Sequence, residues 1–399
     1  MNFCRKVHNT DYYVHIEDVP EETWNDLGCT NNLYFSPKYL SAIANNHSGI
    51  DFLYVVLHDD ENSPIAFATI QVVDFLLDSV QNELKGFVNQ IKKIGRKFGI
   101  VAKKKPFKIL TCGNTFVSGE HGIFIKNNQN KQKVIKELAK SVVELVNDEK
   151  QFNYKISGFM LKDFIHESLF VTDELLGYNY HSFNVEPNML MQIDSDWNDF
   201  TDYLAAMKTK FRVKAKKAME KSFPLEVIDI TQHNFHDYAP EMETLYKNVS
   251  SKAGFNLGSF NLETYNSLKE KLGEDYVIRI YLLKDKVVGY LSAMINQKDL
   301  DAHYVGIDYT YNREFAIYQR MLYDYIQLAI DKKLSQINFG RTASEIKSSV
   351  GAEPQNLTIY FRHKNHIPNK IFSFFVNKIQ PTPFNQKFPF KVKNLVAHN

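Results

Sequence analysis

The chain has 399 residues, of which 44% are apolar and 24% charged, and its formal net charge is +2. This composition is typical of folded globular protein, and the length is sufficient for two domains. A net charge so near zero excludes a protein whose overall electrostatic field selects nucleic acid, so we expect no DNA partner.

Cysteine use and hydropathy indicate the cellular setting. Cys4, Cys29 and Cys112 lie far apart in the sequence, which predicts reduced thiols and no disulfide framework. No His/Cys cluster has the spacing of metal ligands, so no metal site is expected. The first residues are too polar for a signal peptide, and no run of about 18 apolar residues occurs. We expect a cytoplasmic protein, with peripheral contact at the inner membrane face left open.

The order of predicted elements occurs twice along the chain. It consists of a hairpin, a further strand, a helix and a strand with a turn, at 52–70, 108–125, 133–146 and 154–164, and again at 276–295, 300–311, 313–333 and 337–347. This repetition predicts an α/β protein made of two copies of one module, each a mixed, mainly antiparallel sheet flanked by helices. The expected domains are 1–185 and 186–365, followed by a tail at 366–399. The alternative explanation of this repetition is that common βαβ patterns occur twice by coincidence.

Two basic segments do not fit the repeated module. The insertion near 77–107 overlaps a stretch without acidic residues from Leu84 to Gly119, and the tail has no acidic residue because none occurs after Glu353. Both mix cations with phenylalanine, as segments on anionic membrane surfaces do, where each cation contributes about 1 kcal/mol. Peripheral membrane contact through 85–108 and 370–393 is one interpretation. The other interpretation is that the insertion forms a solvated basic face and that the tail packs on the domain.

The segment "INFGRTASEIKSSVGAEP" (337–354) is typical of a strand, a tight turn and a two-turn helix. Thr342 and Glu345 fit a capping box, which predicts a helix that begins just after Thr342. Lys347 would then lie in the first helical turn, where a cation opposes the helix dipole. With Arg341 at the strand end, this lysine suits contact with an anion or a developing oxyanion. An exposed lysine without a special role is the alternative.

A strongly basic helix is predicted within "DYLAAMKTKFRVKAKKAMEKSFPLEV" (202–227). Its apolar stripe leaves a cationic outer surface that includes Lys210, Arg212, Lys214 and Lys217. Such a surface suits the phosphates of a nucleotide, an acyl carrier or a tRNA, and a merely solvated face is the alternative.

The strand "LDAHYVGIDYTYN" (300–312) contains the remaining candidates for proton transfer. Alternation puts Asp301, His303 and Val305 on one side and Tyr304 on the other. Gly306 permits a bulge or the close approach of a ligand. A carboxylate or imidazole such as Asp308 or His303 could accept a proton from an attacking amine. A strand histidine with a structural role is the more common case.

These motifs, in this order, resemble the FemAB-like branch of the GNAT acyltransferase superfamily. The resemblance covers 202–363 through the Arg/Lys-rich helix, "VVGYLSAMI", "HYVGIDYTYN" and "INFGRTASEIKSSVGAEP". A duplicated GNAT module would also cover the first half. One departure is that "YTYNREFAIY" lacks the Gly-rich pyrophosphate loop of acetyl-CoA enzymes, which argues against ordinary CoA binding.

The resemblance implies transfer of an acyl or aminoacyl group to a primary amine of an amino acid, amino sugar or aminolipid precursor. The donor would be acyl-CoA or an acyl-carrier protein as co-substrate, or a tRNA, with no permanently bound cofactor. Lys347 matches the lysine of the ending motif, and Arg341 and Glu345 match neighbouring positions. Tyr304 and Tyr318 would line the cleft. The alternatives are an aminoacyl-tRNA-dependent transferase acting on a cell-envelope precursor and a non-catalytic protein that binds a ligand or a membrane.

Overall fold

The computed structural model describes residues 4–7, 9–75, 107–148, 156–252, 259–376, 379 and 381–391. They form two compact units, each with its own β-sheet. The first unit comprises the described parts of Met1–Pro187, Ala253–Lys271 and Asn356–Thr382, and the second those of Asn188–Lys252, Leu272–Gln355 and Pro383–Asn399. The expectation of two continuous domains at 1–185 and 186–365 is therefore corrected, because each unit is assembled from three separate segments.

The first unit contains a nine-stranded sheet. Its strands are β1 (Cys4–Val7), β2 (Thr10–Tyr13), β3 (Asp51–His58), β4 (Pro64–Phe75), β5 (Phe107–Cys112), β6 (Ile123–Ile125), β7 (Ile156–Phe164), β8 (His181–Asn184) and β16 (Thr358–His363). The order is β1-β2-β3-β4-β5-β7-β16-β8, with β6 paired to β4. The pair β5–β7 is parallel and the other pairs are antiparallel.

Helices lie on both faces of this sheet. They are α1 (Glu21–Leu27), α2 (Pro37–Ala44), α3 (Lys131–Asp148), α4 (Leu169–Thr172), α8 (Leu262–Leu272, all but its last residue) and α12 (His366–Val376). The apolar stripe predicted for α3 is buried against strands of the sheet, as Leu138 and Val142 illustrate. On the other face Trp24 of α1 contacts Phe67 of β4 edge to face. The predicted mixed sheet flanked by helices is confirmed.

The second unit has a seven-stranded sheet with the order β10-β11-β12-β13-β14-β9-β15. Its strands are β9 (Asn188–Gln192), β10 (Leu225–Asp229), β11 (Tyr276–Leu283), β12 (Lys286–Asn296), β13 (Asp299–Ile307), β14 (Gln336–Asn338) and β15 (Glu353–Gln355). Only β13 and β14 are parallel among its described pairs. Its helices are α5 (Phe200–Ala206), α6 (Thr209–Lys221), α7 (Phe235–Ser250), α9 (Tyr309–Phe315), α10 (Ile317–Asp331) and α11 (Ser344–Ser348).

Two helices predicted to be continuous are broken. The basic helix is interrupted at Met207, which is fully buried and extended (ψ 146°) and forms an isolated bridge with Phe390 of the tail. The helix expected at 313–333 is interrupted at Ala316, whose left-handed backbone (φ 50°) separates α9 from α10. In both places tertiary contacts or a turn override a continuous helical pattern.

The two basic segments have different outcomes. The predicted insertion near 77–107 lies, except for Phe107 at the start of β5, outside the described residues, so membrane contact through 85–108 stays a prediction. The tail is divided: α12 belongs to the first unit, whereas 383–391 packs on the second through Phe384 and Phe390. Within the described ranges no helix is both long and apolar enough to cross a bilayer.

Candidate functional site

The candidate site lies where the parallel strands of the second unit separate. Strands β13 and β14 pair over three residues only, ending with Asp301 opposite Asn338. Strand β14 ends there, while β13 continues to Ile307. Loops that follow strand ends are preferred positions for binding and catalytic groups, and this one contains Arg341 and leads into α11, which contains Lys347.

Strand β13 carries a bulge next to this opening. Val305 pairs with Leu291 and Ala302 pairs with Ala293, so Ser292 of β12 faces both His303 and Tyr304. The Tyr304 amide donates to the Ser292 hydroxyl over 3.1 Å. The simple alternation predicted for this strand is therefore wrong beyond Ala302, because the extra residue shifts the side-chain pattern.

Gly306 has a packing function and does not form the bulge. A Cβ atom at this position would collide with the ring of Tyr290 and would lie 2.7 Å from Cβ of Leu245 in α7. The space that the sequence suggested for a ligand is thus filled by the protein's own side chains.

Lys347 is buried, and its ammonium group points to backbone oxygens. Lys347 is only 5% exposed to solvent. Its Nζ atom donates to the carbonyls of Arg341 (2.6 Å) and Gly340 (3.2 Å). Burial lowers the pKa of Lys347 to about 7, because an apolar environment disfavours the charged form. Among the described residues no carboxylate forms an ion pair with it. The alternative of an ordinary exposed lysine is therefore wrong.

The turn that surrounds Lys347 is strained. Gly340, Thr342 and Ala343 all have positive φ angles, of 69°, 67° and 51°. Left-handed backbone is costly for residues with a Cβ atom, and such strain is often found at functional sites. The turn brings two carbonyl oxygens to the same lysine nitrogen.

The predicted capping box is wrong. Helix α11 has only five residues and begins at Ser344, and its N-cap, Ala343, is left-handed and makes no side-chain cap. A capping box needs an extended N-cap residue, which the turn does not provide. Glu345 is exposed and pairs with Lys387 of the tail over 2.9 Å. Lys347 lies in the last turn of this helix, so the argument from an opposed dipole does not apply.

Two residues that the sequence did not single out connect β13 to this turn. Asn338 donates from Nδ2 to the buried carboxylate of Asp301 over 2.7 Å, and its Oδ1 accepts from the Gly340 amide over 2.8 Å. Gly340 in turn accepts the hydrogen bond from Lys347. No sequence pattern could have paired Asp301 with Asn338, because the pairing depends on the register of two strands whose paired residues are 37 positions apart in the chain.

The other candidates for proton transfer have structural contacts. Asp308 caps α9 by accepting from the Thr310 amide (3.0 Å) and pairs with Lys286 (2.9 Å). Burial acts to raise the pKa of Asp308, but the hydrogen bonds from Thr310 and Lys286 outweigh it and keep the pKa below its usual value. His303 is half-buried and shares a hydrogen bond between Nδ1 and the Tyr276 hydroxyl (3.2 Å).

The two tyrosines predicted to line the cleft are half-buried. Tyr304 packs against His303 with the two rings tilted by 53°, and it meets Tyr246 of α7 edge to face. Tyr318 lies in the first turn of α10, where its amide donates to the Asn312 side chain, and burial raises the pKa of its phenol. Their role towards a substrate stays a prediction.

The cationic surface is formed by α6. Lys210, Lys214 and Lys217 are exposed and Arg212 is half-buried, while Ala215 and Ala218 of the same helix are buried in the core. The preceding helix, α5, donates from the Tyr203 hydroxyl to the Val350 carbonyl, just after α11. The structure thus places the cationic helix in the same unit as Lys347.

The first unit also contains a buried lysine beside its parallel strand pair, but a carboxylate compensates the charge of that lysine. Lys162 in β7 is buried beside the parallel β5–β7 pair and donates to the Asn114 carbonyl over 2.6 Å. Unlike Lys347, it forms an ion pair, with Asp163. Across the described part of the chain no group of three or more His, Cys, Asp or Glu residues could hold a metal ion.

Solved structures share this architecture. One, described as FemX, matches with a TM-score of 0.51 and 11% identity, covering 85% of this chain and 95% of that chain. A tandem GNAT protein from the clavulanic acid biosynthesis pathway gives 0.53 and 7%, covering 90% and 99%. L-PGS from Bacillus licheniformis gives 0.51 and 10%, covering 90% and 96%. No family model and no curated protein matches the sequence. The chain has a tandem GNAT-like, FemAB-like fold, as its sequence predicted.

Proposed function

We propose that the protein is an N-acyltransferase that moves an acyl or aminoacyl group from a thioester or ester donor to a primary amine. The observation that carries the proposal is the buried Lys347, unpaired with any described carboxylate, whose Nζ donates to carbonyls of the strained turn at the end of a short parallel strand pair. A buried lysine with a pKa near neutrality is the kind of group that proton transfer requires.

The proposed chemistry uses few groups. The amine nitrogen attacks the donor carbonyl and forms a C–N bond, giving a tetrahedral oxyanion. The C–S or C–O bond then breaks, and the ammonium proton passes through Lys347 to the leaving thiolate or alkoxide. Neutral Lys347 suits the role of proton acceptor, because its two N–H groups are held by the carbonyls of Gly340 and Arg341 and its lone pair stays available. Arg341 is proposed to contact the oxyanion or a substrate carboxylate.

The donor site is proposed to differ from a Gly-rich pyrophosphate loop. The corresponding position is the start of α9, where the Asp308 carboxylate occupies the helix N-terminus. A carboxylate at this place opposes the binding of a phosphate there. This supports a donor whose phosphate binds elsewhere, and the exposed cations of α6 are the candidate contact.

The test is direct transfer with the purified full chain. It is incubated with acyl-CoA, acyl-carrier protein or aminoacyl-tRNA and a panel of amino acids, amino sugars and aminolipid precursors, and the amide product is identified by mass spectrometry. We expect the Lys347→Met variant to lose about 10²-fold or more in rate, as expected for removal of a proton-transfer group.

The matched control is Lys332→Met, because Lys332 is an exposed lysine that follows α10. It should keep the full rate. Thermal unfolding of both variants shows whether Lys347→Met is folded. A folded Lys347→Met protein with unchanged transfer would overturn the proposed role, and absence of any amide product across donors and amines would favour the non-catalytic alternative.

The cationic face of α6 favours a second candidate, in which the donor is an aminoacyl-tRNA. Lys210, Lys214 and Lys217 are exposed on one helix, and phosphate contacts make nucleic-acid binding strongly salt-dependent. Titration of tRNA at increasing salt should then show affinity falling steeply, and glutamine at the three lysines should flatten the slope. A carrier-protein or CoA donor predicts amide product without tRNA.

A further inference from the structure

Helix α12 of the first unit has large apolar side chains on two opposite faces, and each face also includes one polar residue. Asn369, Phe372 and Val376 form the inner stripe, and Ile367, Lys370 and Phe374 the outer one, each at i, i+3, i+7 spacing. A surface helix of a globular protein normally has one apolar stripe, facing the core. The second stripe therefore requires a separate explanation.

The inner stripe fixes the helix to the sheet. Phe372 packs against Phe361 of β16 and Phe183 of β8, with ring centroids 4.9 and 6.1 Å apart. Asn369 accepts from the His363 amide and donates to the Asn179 carbonyl, both over 2.8 Å. The helix is thus anchored, and its orientation does not depend on the outer residues.

The outer stripe is exposed. Ile367 is 72% exposed and Phe374 is 70% exposed, and Lys370 lies between them on the exposed face. The surrounding chain is cationic, since no acidic residue occurs after Glu353 while Arg362, Lys364 and Lys370 do. Apolar side chains flanking a cation, in an acid-free segment, match the interface of an anionic bilayer, where apolar groups enter the headgroup region and cations meet phosphate.

Most of the described tail after α12 is packed on the second unit. Phe384 and Phe390 pack on the core of the second unit, and Lys391 donates to the Ala205 carbonyl. Those residues are occupied within the protein. In the described part of the tail, the outer stripe of α12 presents two exposed large apolar side chains that flank an exposed cation, whereas Phe388, which is 63% exposed, is a single aromatic residue in the second unit.

We propose that the outer stripe of α12 (Ile367, Lys370 and Phe374) docks the protein on an anionic lipid surface. Ile367 and Phe374 insert at the level of the headgroups, and Lys370 contacts lipid phosphate. The occupant is a bilayer, because a purely apolar protein partner would not use the excess of cations around the helix.

The test is sedimentation of the full chain with vesicles, which needs no catalytic activity and is independent of the proposed reaction. We expect binding to vesicles of equimolar phosphatidylglycerol and phosphatidylcholine, and much weaker binding to pure phosphatidylcholine. The Ile367→Ser/Phe374→Ser double variant should lose at least about tenfold in partitioning. Lys370→Glu should lose about fivefold or more, and more at low salt.

Matched variants make the result specific. Phe223→Ser removes a phenylalanine that is 87% exposed in the second unit, and Lys332→Glu reverses an exposed charge there, and both should bind like the original protein. Since the substituted side chains are exposed, thermal unfolding should be unchanged. Equal binding to both vesicle types, or full binding by the double variant, would overturn the proposal. So would a dimer in solution that the double variant abolishes, because the stripe would then be an interface between copies.

Discussion

The environment of Lys347 sets its charge near neutral pH. Because burial lowers its pKa to about 7, the fraction of neutral amine rises as the pH increases through that value. If Lys347 accepts a proton, the transfer rate should rise about tenfold per pH unit below about 7 and level off above it. The pH profile of kcat/KM, from amide product, measures this.

A profile that falls above pH 7 would contradict the role of proton acceptor. It would indicate that the ammonium form is needed, as for stabilisation of an oxyanion. The Lys332→Met control should follow the profile of the original protein, because that lysine is exposed.

Asn338 is expected to position the lysine turn. Asn338→Ala leaves the buried Asp301 carboxylate without its 2.7 Å donor and the Gly340 amide without its acceptor. Loss of such partners costs about 1–3 kcal/mol of unfolding free energy, which urea denaturation measures. We also expect kcat to fall while KM changes little, since the Gly340 carbonyl holds Lys347.

The control for this substitution is Asn198→Ala, because Asn198 is an exposed asparagine whose hydrogen bonds are solvent-accessible. It should change stability by no more than about 0.5 kcal/mol. An unaltered kcat in a folded Asn338→Ala protein would show that the connection to Asp301 has no part in positioning Lys347.

For individual site residues, the sequence indicates which side chains are candidates but not how deeply they are buried or what they contact. Lys347 and Arg341 were recognised from the motif, yet the burial of Lys347 was not, since it depends on a turn with three positive φ angles. Asp301 and Asn338 were missed because only the strand register brings them together.

At the level of secondary structure, the periodicity of apolar residues predicts where helices and strands occur better than where they are interrupted. The hairpins β3–β4 and β11–β12 and helix α3 lie where alternation and helical spacing place them. The interruptions at Met207 and Ala316 and the bulge at His303 and Tyr304 were not foreseen. Each results from a tertiary contact or a local turn, which a pattern of apolar residues does not contain.

The close packing of β13 against its neighbours gives a prediction for Gly306. In Gly306→Ala the new methyl group would collide with the Tyr290 ring and lie 2.7 Å from the Leu245 Cβ atom, which belongs to a helix. Overpacking of this kind costs about 1–3 kcal/mol, so the urea midpoint should fall markedly.

Gly49→Ala is the matched control, because no heavy atom lies within 4 Å of a Cβ built there. Its unfolding free energy should change by about 0.5 kcal/mol or less. Equal midpoints for the two variants would show that β13 can shift to accommodate the methyl group.

For the molecule as a whole, the repeat predicts two modules but not which segments of the chain form each of them. Strand β16 lies between β7 and β8 in the first sheet, although residues 358–363 follow the entire second sheet in the chain. Helix α8 is likewise supplied to the first unit from the middle of the second. A pattern repeated along the sequence cannot show such exchanges, since they concern pairings between distant segments.

This arrangement predicts that the fragment 1–187 does not fold alone. Without β16 it lacks the strand that pairs with both β7 and β8. It also lacks α8, whose Ser267 hydroxyl accepts a hydrogen bond over 2.8 Å from Asn46, just beyond the end of α2. We expect a poorly dispersed NMR spectrum and no cooperative thermal unfolding. The full chain, measured alongside, should show both properties, and a fragment that matched it would make β16 dispensable.

The late position of β16 also bears on biosynthesis. The edges of β7 and β8 stay open until residue 363 of 399 has been translated, and at about 5–20 residues per second that delay is on the order of ten seconds or more. Throughout this interval the segments that will form the first sheet expose unpaired backbone of the kind that promotes aggregation, so we expect the nascent chain to bind chaperones at the ribosome.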